Sequence, residues 1–156
     1  MKNNVLIVCA SGGIASALIE QYSSDGARVF AVSRALLSDT NHSGDVTYHQ
    51  LAEQDDRHIS EFVEQLAEQQ VVLTTVVITT GFLHRESDGI HPEKRLEDVS
   101  EQALAAYFST NSIIPAMWLK HLVNIMSKEG STLVCLSARV GSISDNGLGG
   151  WYGNRA

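Results

Sequence analysis

The chain has 156 residues, of which 44% are hydrophobic and 19% are charged, which is typical of one soluble globular domain. Its formal net charge is -7, with only 11 Lys and Arg, and this argues against a nucleic-acid partner because phosphate binding needs a basic surface. No apolar run approaches the ~18 residues of a membrane span. The apolar start reaches Gly12 and Gly13 within a dozen residues, so we expect an opening β-strand and not a signal peptide.

Strand and helix patterns alternate through the first half of the chain. The apolar run Asn4–Ala10 predicts a strand that is buried on both faces. Apolar residues at helical spacing follow over Ile14–Tyr22, and Gly26 predicts the end of that helix. Arg28–Ser33 is a second strand, and the weak alternation of Val46–Leu51 predicts an outer strand.

The second half continues the alternation with a helix, a strand, two helical segments and a fifth strand. These are the helix beginning at Asp55 and Asp56 with the apolar stripe Ile59, Phe62, Val63 and Leu66, the strand Thr74–Ile78, the helical segments from the capping Ser100 to Ile125, and the strand Ser131–Leu136. We therefore predict one α/β domain over residues 1–156, a Rossmann-type doubly wound parallel sheet. Such sheets bind ligands beyond the carboxyl ends of their strands.

A glycine turn follows the first strand. Ser11, Gly12, Gly13 and Ile14 would let the backbone come close to a phosphate at the positive end of the next helix. The spacing is closer to G-x-x-x-G-x-G than to G-x-G-x-x-G, with Cys9 and Ala15 in the outer glycine places. The alternative is a tight strand-to-helix turn that binds nothing.

Ser33 and Arg34 follow the second strand. A carboxylate at this place would suit the ribose of NAD, whereas a hydroxyl followed by a guanidinium suits the 2′-phosphate of NADP. The spacing of about twenty residues from Gly13 fits that geometry. We therefore expect NADP(H) to be preferred over NAD(H), the alternative being an ordinary exposed arginine at a strand end.

Three further places carry candidate residues. Thr79, Thr80 and Gly81 follow the fourth strand and would let backbone pass close to a cofactor, or form a plain turn. Asn111 lies between two apolar helical stretches, where asparagine is unfavourable and often marks a kink or a bound water. The segment from Ser137 to Ser142 follows the fifth strand.

The histidines and cysteines indicate no further site. The histidines are scattered without metal-ligand spacing, so we expect no metal. Cys9 and Cys135 lie in apolar strand-like runs, and we expect buried free thiols and a cytoplasmic protein.

Together these motifs resemble the short-chain dehydrogenase/reductase family. The resemblance covers essentially the whole chain, and its closing segment is similar to the C-factor-like branch of bacterial members. The residues that carry it are ASGGIA at 10–15, VSR at 32–34, TTGFLH at 79–84, PEKRLED at 92–98, the segment Phe108–Pro115, and LSARVGSISDNGLGGWYGNRA at 136–156.

The resemblance implies a Rossmann sheet of seven strands, of which this chain would supply five in the order 3-2-1-4-5. It implies hydride transfer between a nicotinamide cofactor and a small carbonyl or alcohol substrate, and a homo-oligomer formed through the helix from Asn111 to Ile125. Asn111 matches a relay asparagine, and Ser137 matches the substrate-binding serine, with Ser142 as the alternative. The family often has an aspartate after the third strand, where this chain has Ala52.

The chain departs from the family at its acid/base pair. The related pattern is W-Y-x-Y-R-x-S-K, and its second tyrosine, the proton donor, corresponds to Asn154. Tyr152 does not replace it, because Ala156 stands four residues later in place of lysine. Three hypotheses remain: an NADP-dependent reductase whose sequence here is incomplete at its C-terminus, a catalytically inactive nucleotide-binding or signalling module, and a truncation that folds poorly because its fifth strand is unpaired.

Overall fold

The computed structural model describes residues 3–37, 44–144 and 147–155. Its elements alternate as the sequence predicts, with short helical turns added in the loops. They are β1 (Asn4–Val8), α1 (Gly13–Ser24), β2 (Arg28–Ser33), β3 (Asp45–Gln50), α2 (Asp56–Glu68), β4 (Thr75–Ile78), α3 (Glu101–Phe108), α4 (Ile114–Leu122), β5 (Thr132–Cys135) and α5 (Tyr152–Arg155). Short turns lie at Glu86–Asp88, Leu96–Asp98, Val123–Ile125 and Arg139–Gly141, and a π-helical turn at Ser109–Ile113 joins α3 to α4.

The five strands form one parallel sheet in the order β3-β2-β1-β4-β5, which confirms the predicted fold class and strand order. The register sets Val8 of β1 beside Val32 of β2 and Ile78 of β4. The carboxyl ends of these strands therefore lie at one edge of the sheet.

The chain divides into two compact units. The first is built from the chain up to Thr79 together with Met117–Cys135 and contains the sheet, α1 and α2. The second is built from Thr80–Ala116 and the chain from Leu136 onward, and contains α3, the π-helical turn and α5.

In the first unit the central strands β1, β2 and β4 are covered on both faces. On one face, α1 packs Ala15 and Ile19 against strand residues such as Val5 and Val29. On the other, Phe62 of α2 lies edge-on to the rings of His49 and Trp118, at 5.1 and 5.8 Å between ring centroids. Because these central strands are covered on both faces, they are the near-continuous apolar runs that the sequence shows.

In the second unit, α3 presents Ala103 and Tyr107 to a small core that also contains Ile90. The rings of Tyr107 and Phe82 are stacked with 4.9 Å between centroids. The hydroxyl of Ser100 accepts a hydrogen bond from the backbone N–H of Ala103, so Ser100 caps α3 as predicted.

One expectation from the sequence is wrong. Cys9 and Cys135 are free thiols, but Cys9 is only partly buried and Cys135 is exposed, because β5 is an edge strand of the described sheet. The closing segment forms one helical turn over Tyr152–Arg155. Among the described residues no helix is long and apolar enough to cross a membrane.

Candidate functional site

The turn between β1 and α1 leaves the start of α1 open. Gly12 is the N-cap residue and has no side chain to accept a hydrogen bond from the helix, and the first turn of α1 contains no acidic residue. Gly12 has φ -82° and ψ 152°, a conformation open to any residue. A Cβ on Gly12 would lie 3.6 Å from the Cys9 carbonyl oxygen, and one on Gly13 would meet nothing within 4 Å. Neither packing nor backbone conformation therefore requires these two glycines.

Cys9 differs from the two glycines, because it has a left-handed φ of 69°. Its carbonyl accepts the Gly12 N–H at 3.1 Å and so closes the turn. The predicted cofactor residues Ser11, Gly13 and Ile14 are all exposed beyond it. The first N–H groups of α1 have no side-chain cap, and together with the helix dipole they make this turn a suitable place for an anion.

The second strand ends beside this turn, since the Ala10 N–H donates to the Val32 carbonyl at 2.9 Å. Ser33 is buried, and its hydroxyl donates to the Ala35 carbonyl, so this side chain shapes the turn. Arg34 is exposed, and its guanidinium has no hydrogen-bond or ion-pair partner in the part of the chain that the structure describes. The structure thus brings the predicted glycine turn and Arg34 to neighbouring strand ends.

The predicted cofactor residues after β4 are divided between the two units. Thr79 ends the first unit, and its hydroxyl donates to the Val8 carbonyl at 2.8 Å. Thr80 and Gly81 begin the second unit. The Thr80 hydroxyl oxygen is buried and has no hydrogen-bond partner among the described residues, and such a group is rare without a function or a bound molecule.

In the second unit, two predicted catalytic residues meet at one backbone carbonyl. Asn111 lies in the π-helical turn, where its Oδ1 accepts the Phe82 N–H at 2.9 Å and its Nδ2 donates to the Phe82 carbonyl at 3.0 Å. The Nδ2 of Asn154 donates to the same carbonyl at 3.3 Å. Both asparagines therefore fix the backbone at Phe82.

The serines after β5 are not part of this arrangement. Ser137 is exposed, and within the described ranges its hydroxyl has no hydrogen-bond partner. The hydroxyls of Ser142 and Ser144 lie 3.2 Å apart. Asp145 and Asn146 of the same motif lie outside the described residues.

Sequence reasoning missed two residues that hold the closing segment. Arg155 donates to the carbonyls of Gly150, Val140 and Gly149 at 2.6, 2.7 and 3.1 Å. Glu93 is buried, and its Oε1 accepts the Gly153 N–H at 3.3 Å. The only available signal was that the pattern PEKRLED contains an acidic residue directly after a proline, and this does not indicate burial.

The phenol of Tyr107 lies in the same core but is not a suitable acid/base group. Burial, and to a smaller extent the charge of Glu93, raises the pKa of Tyr107 above its ordinary value. The hydroxyl donates to the Leu83 carbonyl at 2.8 Å. Tyr107 therefore stays protonated and has a structural role. Among the described residues no group of three or more His, Cys, Asp or Glu side chains could hold a metal ion.

No family model matches the sequence, and no curated protein matches it. The structure, in contrast, is similar to many solved structures. A carbonyl reductase from Pseudomonas aeruginosa PAO1 is similar with a TM-score of 0.80 and 20% identity, over 98% of this chain and 69% of that one. A short-chain dehydrogenase from Leptospira borgpetersenii with bound NAD+ has a TM-score of 0.75 and 20% identity, over 94% and 56%.

ElxO with NADP bound has a TM-score of 0.76 and 18% identity, over 90% of this chain and 57% of that one. The chain has the fold of short-chain dehydrogenases. It spans 56, 57 and 69% of the length of these three proteins. At this level of identity the likeness shows the fold alone.

Proposed function

We propose that this chain is a short-chain dehydrogenase/reductase that binds a nicotinamide dinucleotide, with NADP(H) preferred over NAD(H). The observation that carries the proposal is the open start of α1. A helix of this fold that lacks a side-chain cap and first-turn acids leaves its N–H groups available to a phosphate. Gly12 and Gly13 allow a ligand to come close to the backbone there. Neither their backbone conformation nor their packing otherwise explains why both residues are glycine.

The residues present fit a nicotinamide dinucleotide. The backbone of Ser11, Gly12, Gly13 and Ile14 would hold the pyrophosphate, and when bound the nicotinamide supplies or accepts a hydride. Thr79, Thr80 and Gly81 remain predicted contacts. Phosphate binding by backbone N–H groups requires no metal.

The preference for NADP(H) rests on Arg34. Its exposed guanidinium has no competing partner among the described residues, and it would pair with a 2′-phosphate through charge-assisted hydrogen bonds. Ser33 would orient the turn through its bond to Ala35. Related structures contain either nucleotide, ElxO with NADP and the Leptospira dehydrogenase with NAD+, so the fold alone does not select between them.

The expected reaction is hydride transfer between the cofactor and a small carbonyl or alcohol. The Ser137 hydroxyl is exposed and would hold the substrate oxygen. Asn111 would act through the backbone at Phe82, since both heteroatoms of its amide are engaged there. The closing segment supports the C-factor-like branch. Assembly through the helix from Asn111 to Ile125 stays a prediction, which sedimentation can test.

A second candidate function is a nucleotide-binding module without turnover. Asn154 stands where the resemblance expects the proton donor, and an amide side chain is not a general acid or base at neutral pH. Its Nδ2 donates to the Phe82 carbonyl instead. This contact supports a structural role for Asn154 and favours the inactive candidate.

Titration with NADPH and NADH, followed by nicotinamide fluorescence, tests cofactor binding. We expect saturable binding that favours NADPH, and Arg34→Ala should weaken NADPH binding by about tenfold or more while NADH binding changes less than about twofold. Arg57→Ala is the matched control, because Arg57 is an exposed arginine that pairs with Glu61 on α2. If neither nucleotide binds, the proposal is wrong.

Oxidation of NADPH in the presence of an aldehyde and ketone panel separates the two candidates. The reductase hypothesis expects turnover only from a chain that carries the tyrosine and lysine of the family pattern, with tyrosine in place of Asn154. The module hypothesis expects NADPH binding without NADPH oxidation. Asn154→Tyr then tests whether a phenol at this position restores NADPH oxidation. The variant also removes the contact with Phe82, so its fold is compared with that of Asn154→Ala by circular dichroism.

A further inference from the structure

Trp151 adopts an unusual conformation in the closing segment of the second unit. Its φ is 53°, and Gly149 and Gly150 before it have φ values of 67° and 70°. A left-handed φ is unfavourable for a bulky aromatic residue, and such residues persist only where the surroundings hold them. The residue is nevertheless 37% exposed, so burial of its side chain alone does not explain the conformation.

Hydrogen bonds before and after Trp151 fix its backbone. Its N–H donates to the Glu93 carbonyl at 2.6 Å, and its own carbonyl accepts the N–H groups of Asn154 and Arg155 at 3.1 and 3.0 Å. The guanidinium of Arg155 binds the carbonyls of both preceding glycines. The exposed indole is therefore carried on a fixed backbone.

Glu93 is the centre of this support. The residue is 2% exposed, one carboxylate oxygen accepts the Gly153 N–H, and the other has no partner among the described residues. A buried carboxylate oxygen without a partner is costly, so the residue is not explained by its contribution to stability. Two glycines allow Glu93 to come this close. A Cβ on Gly150 would lie 3.0 Å from the Glu93 carbonyl oxygen, and a Cβ on Gly153 would lie 3.0 Å from Oε1 of Glu93.

We propose that Trp151 is a substrate-contacting residue whose indole receives the apolar part of a carbonyl or alcohol substrate, and that Glu93 is the positioning residue that holds it. This inference rests on the proposed function, because Trp151 lies three residues before Asn154 in the segment that the resemblance assigns to the proton donor. An indole face recognises rings and alkyl chains through burial of apolar surface and dispersion. The substrate class is therefore a ketone, aldehyde or alcohol with a ring or alkyl chain beside the reacting carbon.

The two tryptophans of the chain provide a test that requires no turnover. In ¹⁵N-labelled protein each gives one indole N–H signal, and Trp118 is an internal control because it is fully buried and donates to Gln54. Trp151→Phe assigns the signals. Cyclohexanone should shift the Trp151 signal alone, with an affinity roughly tenfold higher than that of acetone, which carries the same reacting group without the ring.

The titration is made with and without NADPH. Shifts of Trp151 in either condition support the inference, and absence of such shifts in both, or equal shifts with acetone, would overturn it. NADPH binding is measured separately, so a failure of the cofactor proposal is distinguishable from a failure of the Trp151 proposal.

Glu93→Gln and Glu93→Leu test the positioning residue. Glutamine keeps an oxygen for the Gly153 N–H, so the Trp151 signal and the affinity for cyclohexanone should stay within about twofold of wild type. Leucine removes that acceptor, and the Trp151 signal should move to the position of an unfolded chain while the Trp118 signal stays. An unmoved Trp151 signal in Glu93→Leu contradicts the role of Glu93.

If Glu93→Leu also displaces the Trp118 signal, Gly150→Ala replaces it. The added methyl group would meet the Glu93 carbonyl in a residue with φ 70°. The variant therefore disturbs the backbone contact between Glu93 and the Trp151 N–H and leaves the carboxylate unchanged. It should displace the Trp151 signal and weaken cyclohexanone binding. Retention of both would overturn the assignment.

Discussion

Helices α1 and α2 lie in the same unit, and each closes at its C-terminus with a left-handed residue followed by the same two hydrogen bonds. The residue is Gly26 with φ 81° after α1 and Gln70 with φ 56° after α2. This is the Schellman arrangement, which satisfies the last carbonyls of a helix. The bonds are Ala27 N–H to Tyr22 O and Gly26 N–H to Ser23 O in α1, and Val71 N–H to Leu66 O and Gln70 N–H to Ala67 O in α2.

The starts of the two helices differ. The Asp55 carboxylate caps α2 by accepting the His58 N–H at 2.9 Å, and Asp56 adds a second negative charge in the first turn. Asp56 in turn binds Lys120 at 2.8 and 2.9 Å and His121 at 2.6 Å. At α1 the corresponding position is Gly12, with almost the same φ as Asp55 but without a side chain.

This difference distinguishes a structural helix start from one suited to a ligand. Both helices satisfy their C-terminal carbonyls in the same way. The difference between them therefore lies at their N-termini. Glycine at the N-cap of α1, where α2 has aspartate, gives up roughly a few tenths of a kcal/mol of helix stability. The proposed occupant of that place is a nucleotide phosphate.

Gly12→Asp should make the start of α1 resemble that of α2. The backbone already has the N-cap conformation, and a Cβ would meet only the Cys9 carbonyl oxygen at 3.6 Å. The carboxylate would compete with the phosphate for the same N–H groups, so we expect NADPH binding to weaken by about tenfold or more while thermal stability is kept or raised. Fluorescence titration and thermal unfolding measure the two effects.

Gly147→Asp is the matched control for this variant. It adds the same charge where a Cβ meets nothing within 4 Å. Equal loss of NADPH affinity in both variants would mean that net charge, and not the start of α1, controls binding.

Gly26→Ala tests the shared C-terminal arrangement. A Cβ on Gly26 meets nothing within 4 Å, so the cost is that of the left-handed conformation alone. We expect the free energy of unfolding in urea to fall by about 1 kcal/mol, with NADPH affinity unchanged. Gly147→Ala, at an ordinary φ, should change the free energy of unfolding by less than about 0.5 kcal/mol.

Much of this comparison could be predicted from the sequence, because its signals are local. The apolar strands, Gly26 as a helix stop, the acidic start at Asp55 and Asp56, and the glycines after β1 are each decided by a few neighbouring residues. The parallel sheet could be predicted because alternating elements with right-handed crossovers leave few possible topologies, whereas its strand order came from the family resemblance; the structure confirms both.

The remaining features depend on contacts between residues that are distant in sequence. The hydrogen bond between Glu93 and Gly153 joins residues 60 positions apart, and the bond between Asn154 and Phe82 joins residues 72 positions apart. Nothing in PEKRLED indicates a buried carboxylate, and the resemblance assigns position 154 to a proton donor without indicating what an asparagine there contacts. The exposure of Cys135 likewise depends on whether β5 has a neighbour on its outer side.

The stability of the protein at low pH should depend on the cap at the start of α2. Hydrogen bonds from the backbone N–H and then the side chain of His58 lower the pKa of Asp55, and those from Lys120 and then His121 lower the pKa of Asp56. Because the folded pKa lies below the unfolded value of ~3.9, their contribution is complete above about pH 4 and is lost as the pH falls through the folded pKa. Urea unfolding at pH 7, 4 and 2.5 should show a steeper acid loss in wild type than in Asp55→Ala. Parallel pH profiles would contradict the role of this cap.

Gln70→Gly should give the smallest effect, and it tests whether the two helix ends are interchangeable. The left-handed φ of 56° costs glutamine roughly 1–2 kcal/mol, while glycine gives back roughly 0.4–1 kcal/mol through the greater freedom of the unfolded chain. We therefore expect a gain of about 0.5 kcal/mol in the free energy of unfolding, whereas Gln69→Gly, at φ -77°, should destabilise. If the free energy of unfolding of Gln70→Gly does not exceed that of wild type, the comparison of the two C-termini is contradicted. Unchanged NADPH affinity in this variant, together with the loss in Gly12→Asp, would locate the function at the start of α1 and leave both helix ends with a purely structural role.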